Sequence, residues 1–242
     1  MLKSKENPIL NLGFNILIPV ILLKKGSEWS SFSPLLILLI SLAFPFCYGL
    51  KDFITMKKIN FISVIGLLNI ALTGGFALFQ LKGIYFVIKE ASLPLFLALI
   101  CVFSVFIFKK PVMEWIILKS SLFNHEILQE KLNLNNNQVA FKKLMNKSTL
   151  LLSLSFVLSA ILNFIVALSV FLDIDSNLTK EAQTHILNEQ VANMTWLGYI
   201  FIAIPLSIFT LILMVWIFKK LKLLTNLSLE DLLLKEKQKG KS

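Results

Sequence analysis

Lys89 and Glu90 are adjacent ionisable residues inside a stretch, Ile84 to Phe108, that carries no other charge. An unpaired lysine at the centre of a membrane helix costs about 2.5–3.5 kcal/mol on insertion scales, so such a pair needs a compensating arrangement. An ammonium held there is a group that can meet an anion, and with nearby amides it forms a polar site off the bilayer midplane. Neighbouring residues of a helix point about 100° apart, which argues against simple mutual neutralisation and calls for a partner on another helix. The amides of Asn15, Asn69 and Asn163, each in a different apolar run, are the polar candidates. The alternative is that Ile84 to Glu90 forms an interfacial turn, with the span starting near Ala91 and Lys89 snorkelling outward past Tyr85. Both readings stay open on the sequence.

Other chemistry-bearing residues are sparse. His125-Glu126 lacks a second histidine four residues on, His185 stands alone, and Glu114 and Glu126 are too isolated for a carboxylate pair. Cys47 and Cys101 both lie in apolar runs, where buried free thiols are the default and no metal or disulfide framework can be built. No phosphate loop or serine elbow is present. The expectation is a chain with no catalytic residue, no cofactor and no metal, and therefore not an enzyme.

The elements that would position the pair are six apolar runs: Ile9 to Leu23, Phe32 to Leu50, Ile59 to Gln80, Ile84 to Phe108, Ser148 to Leu172 and Trp196 to Phe218. A helix needs roughly 20 residues to cross about 30 Å of hydrocarbon, so the runs predict an all-α polytopic membrane protein with six transmembrane helices. The chain has 24 lysines and no arginine. Counting crossings, one side holds only Lys24, Lys25, Lys82 and Lys180; Lys89 is inside a run, and the remaining 19 share the side that carries both termini. The positive-inside rule places that side in the cytoplasm. Trp29, Tyr85, Trp196 and Tyr199 fall near the outer ends of runs and Tyr48, Trp115 and Trp216 near inner ends, as amphipathic rings at headgroup level should. The first run carries Asn11, Asn15 and Pro19 and no small-residue cleavage site, which argues against a signal peptide.

The whole chain, 1–242, thus reads as a single integral membrane domain. Residues 112–147 form a cytoplasmic helical segment broken by the asparagines of Asn133 to Asn137, and 219–242 form a cytoplasmic tail in which Ser228 caps a further helix. Asp173 to Thr195 is polar enough to remain in water as an outer loop. The net charge of +10 sits where helices leave the bilayer, which points to anionic headgroups at the cytoplasmic face and not to nucleic acid.

Polar or small residues recur at helical spacing in three spans: Asn11, Asn15 and Pro19; Gly66, Asn69, Thr73, Ala77 and Gln80; Ser155, Ser159, Asn163 and Ala167. These faces should point inward, either as packing seams, with Gly74 and Gly75 as helix-packing positions, or as a substrate path.

Gly74-Gly75-Phe76-Ala77-Leu78-Phe79, then Phe86-Val87-Ile88-Lys89, Lys109-Lys110-Pro111-Val112 and Leu162-Asn163 before Ala167 resemble, in order and spacing, the intracellular septation protein A family of bacterial inner-membrane proteins. That family has a second lysine two residues after the first, where this chain continues with Glu90 and Ala91, and this chain is longer. The resemblance implies a noncatalytic role in envelope maintenance or septation, through contacts with envelope-synthesis proteins. The contrasting reading is a small secondary transporter or channel, working as a homodimer, whose polar site is Lys89 and Glu90 with the intramembrane amides.

Overall fold

Prolines, caps and asparagine turns account for where the helices begin, widen and end. The computed structural model describes residues 13–56, 61–79, 81–119 and 124–228, and among them every regular element is helical. The order is a π-helical turn Gly13–Leu17 leading into α1 (Ile18–Trp29), then α2 (Pro34–Met56), α3 (Phe61–Leu78), α4 (Ile84–Phe106), α5 (Val112–Lys119), α6 (His125–Leu134), α7 (Gln138–Val170) and α8 (Lys180–Gly198). A second π segment, Tyr199–Ala203, joins α8 to α9 (Ile204–Thr225). Each π segment runs into a helix whose second residue is proline, Pro19 or Pro205. Proline has no N–H for the carbonyl four residues back and its ring crowds that carbonyl; a wider turn relieves both.

The α6 terminus shows how local the signals are. Asn136 takes a left-handed φ of 53°, a region asparagine tolerates. The Asn137 N–H then donates to the Leu132 carbonyl at 2.9 Å and the Asn136 N–H to Asn133 at 3.1 Å, a Schellman ending. The asparagine run therefore breaks the helical segment as expected, and two helices, α5 and α6, precede it.

The chain divides into two units, Met1–Leu93 with Ala160–Ala203, and Pro94–Ser159 with Ile204–Ser242. In the first, α1 packs on α2, α2 on α3, and α8 against both α1 and α2. Gly26 lets α1 and α2 approach: an added Cβ would stand 2.9 Å from Ile37 Cγ2. Phe86, fully buried, stacks on Phe171 at 4.8 Å and meets Phe76 edge-on at 5.8 Å. In the second unit, Met113, Ile117, Leu128, Leu132, Phe141, Leu144, Met145, Leu213, Ile217 and Leu221 form one apolar core. Asn135 and Asn137 both donate side-chain N–H groups to the Leu224 carbonyl, at 3.1 and 2.8 Å, closing the end of α9.

Among the described residues, three helices are long and apolar enough to cross a membrane, by length and composition: Ile84–Phe106, Gln138–Val170 and the continuous Lys180–Thr225. Two shorter apolar stretches, Pro34–Cys47 and Leu68–Leu78, lie in α2 and α3. Only 28%, 28% and 17% of the most hydrophobic window of the three long helices is buried, leaving Phe96, Phe103, Ile161, Ile165, Leu211 and Ile212 exposed. Exposed apolar side chains of this kind are compatible with a hydrocarbon surrounding.

Several boundaries differ from those read in the sequence. Helix α1 continues past Leu23 through Lys24 and Lys25 to Trp29, and α7 starts at Gln138, well before Ser148, because lysines are good helix formers that a hydropathy boundary discards. Of Asp173 to Thr195, residues Asp173 to Thr179 are the expected non-helical and mostly exposed connection, but from Lys180 onward the chain forms α8, capped by Thr179 Oγ1 accepting from the Ala182 N–H at 3.3 Å. Leu187, Val191 and Met194 recur at helical spacing on its buried side, while Glu181 and Glu189 stay exposed. Cys101 is buried as expected, whereas Cys47 is exposed on α2. The expected helix after Ser228 lies outside the described residues.

Candidate functional site

The fourth apolar run forms α4 from Ile84 onward, so Lys89 and Glu90 are helical and no interfacial turn separates them from the span. Lys89 is turned into the protein. Its side chain is 2% exposed and that of Glu90 16%. The Lys89 ammonium donates to Glu90 Oε1 at 2.6 Å and to Thr73 Oγ1 at 2.7 Å. The Thr73 hydroxyl in turn donates to the Asn69 carbonyl one turn back on α3, at 2.9 Å. This short relay gives the buried cation one charged and one neutral acceptor, both within its own unit.

The expectation that adjacent residues could not neutralise each other is corrected by this geometry. Their Cβ atoms do diverge, but the four-carbon stem of lysine and the two-carbon stem of glutamate are long enough for the heads to converge. Both lie where water is scarce, and desolvation makes convergence worth the lost rotamer freedom.

Of the amides singled out as partners, Asn69 enters the relay through its backbone carbonyl. Asn163 is half-buried on α7, on the face that buries Ser155, Ser159 and Ala167. Asn15 lies in the first π segment, with its side chain outside the described residues. The α3 face of Asn69, Thr73 and Ala77 thus points inward as its spacing implies, and Thr73 is the member that meets the cation. Gly74 is buried, with Leu42 Cδ1 3.4 Å from an added Cβ, an ordinary packing contact with α2; at Gly75 an added Cβ meets nothing within 4 Å. The packing seam therefore uses Gly74 and not Gly75.

Two polar residues escaped the sequence reading because they sit in α8. Asn188 is fully buried and donates Nδ2 to the Pro34 carbonyl at 2.8 Å, tying α8 to the start of α2. Gln190, 8% exposed, donates Nε2 to the Leu172 carbonyl at 2.9 Å. The Leu187, Val191, Met194 spacing behind a threonine cap was the signal that could have found them. No cluster of three or more metal-ligating side chains occurs among the described residues.

The chain matches no family model, no curated protein and no solved structure.

Proposed function

We propose that this chain is a multi-spanning protein of the bacterial inner membrane, with six crossings and both termini cytoplasmic, and a noncatalytic role in envelope maintenance or septation. The observation that carries this reading is the closed state of the one ion pair that the described residues place inside an apolar run: Lys89 is buried, and its ammonium is held by Glu90 and Thr73. A cation satisfied in this way suits a device that locks helix α3 to α4 better than a group awaiting substrate. The lysine asymmetry supports the orientation, and the resemblance to the septation protein A family supports the envelope role. On this reading the lysine-bearing helices α5 to α7 contact anionic headgroups and envelope-synthesis proteins.

Photo-crosslinking groups at Trp115 and Val139, both well exposed, test it in cells. Capture of envelope-synthesis proteins is the expected result, and capture of lipid alone counts against the role. A second reading, a small transporter or channel, rests on the presence of two ionisable residues inside an apolar run and not on their closed pairing. Under that reading Lys89→Ala and Glu90→Gln each abolish solute uptake in vesicles while the protein stays abundant; uptake indifferent to both removes it.

A further inference from the structure

Two of the four lysines assigned to the less basic side, Lys82 and Lys180, come together although they are far apart in sequence. With Gln183, Thr184, Ala77 and Leu187 they line one recess between the α3–α4 connection and the start of α8. Ala77 and Leu187 are its buried apolar members, and Lys82 and Lys180 are its cationic ones. Gln183 does not compete for a ligand. Its Nε2 donates to the Ser176 and Leu178 carbonyls, at 3.1 and 2.7 Å, and its Oε1 accepts from the Lys82 ammonium. Gln183 is therefore a positioning residue that fixes Lys82 beside the recess, leaving that ammonium two further N–H donors. Lys180 has no ion-pair partner among the described residues.

We infer that a phosphate group binds across the mouth of this recess, whose interior of about 10 Å³ has room for about one water molecule, and there meets Lys82 and Lys180. Leu78 and Phe79 are exposed on the last turn of α3, following Ala77, and offer an apolar surface to an acyl chain. The phosphodiester of an anionic phospholipid supplies both features, and free phosphate supplies the charge alone. The site does not depend on the envelope role and stands if that role fails.

The test uses the full-length protein in nanodiscs of phosphatidylcholine with and without phosphatidylglycerol, with bound lipid counted by native mass spectrometry. In a parallel arm, inorganic phosphate is titrated against protein in neutral detergent. Near a surface one ammonium is worth about fivefold in affinity, so Lys180→Gln should weaken retention about fivefold and Lys82→Gln with Lys180→Gln about twenty-five-fold. Lys25→Gln, whose lysine pairs with Glu28 on α1, should leave retention unchanged. Selective loss of phosphatidylglycerol identifies a lipid, and loss of phosphate binding without lipid selectivity identifies the free anion. Because Lys180 is exposed, its single variant folds as the parent does, and parental affinity in both arms for that variant and the double variant overturns the inference.

Discussion

Removing Glu90 should harm the protein more than removing Lys89, and the asymmetry can be worked from exposure. At 2.6 Å the pair attracts with about 6 kcal/mol at an effective dielectric constant of 20, against a desolvation penalty of several kcal/mol per ion. The net worth of the intact pair is thus small, and the measurable quantity is the cost of orphaning either member. Glu90→Gln leaves an ammonium that is 2% exposed with only the neutral Thr73 hydroxyl and an amide to face, at the lower end of the range for a broken buried pair, about 3 kcal/mol. Lys89→Met leaves a carboxylate that retains 16% exposure and can take up a proton or a water molecule, so its cost should be about 1–2 kcal/mol. The double change, Lys89→Met with Glu90→Leu, removes both charges and should return stability to within about 1 kcal/mol of the parent. Reversible unfolding in mixed micelles with increasing SDS measures all four proteins as a double-mutant cycle. Additive single effects, or a larger loss for Lys89→Met than for Glu90→Gln, would refute the buried-pair account.

Thr73→Val removes the second acceptor of the Lys89 ammonium and should lower stability by about 1–2 kcal/mol in the same assay, with Thr73→Ser restoring most of it. Gly83 holds a φ of +52° beside Asp173, so Gly83→Ala should destabilise by about 1–2 kcal/mol, read as a lower thermal midpoint. Asn137→Ala removes one of two donors from the Leu224 carbonyl and should cost about 1 kcal/mol, seen as faster amide exchange in the last turn of α9. Reporter fusions after Ser242 should report a cytoplasmic end, and an exported end would reverse the assigned orientation.

The legible part of the fold followed from one-dimensional averages and short motifs. The long apolar runs marked α4, most of α7 and α9 because hydropathy summed over a span dwarfs any single residue. The asparagine run marked the end of α6 because left-handed backbone has few side chains that accept it. Helix α8 was illegible to the same averages: its acids, amides and threonines sum to a polar segment, and only its one-sided pattern shows that a face is buried. Residues 138–147 were legible as helical but not as continuous with the apolar run that follows, since Lys142, Lys143 and Lys147 lower the mean without opposing the helix. At the site, the inward face of α3 was readable as Asn69, Thr73 and Ala77 at helical spacing. Which of them would touch Lys89 was not, because spacing along one helix carries no information on its rotation against another.

From the residues alone came the helical class, the apolar character of the long helices and the unequal distribution of lysines, because each depends on composition along the chain and not on contacts across it. Tertiary structure decided that Lys89 turns inward, that Glu90 and Thr73 share its ammonium, and that Lys82 and Lys180 line one recess. These depend on where side chains from distant segments end, and in a low-dielectric interior a shift of an ångström or two determines whether a charge is paired or stranded.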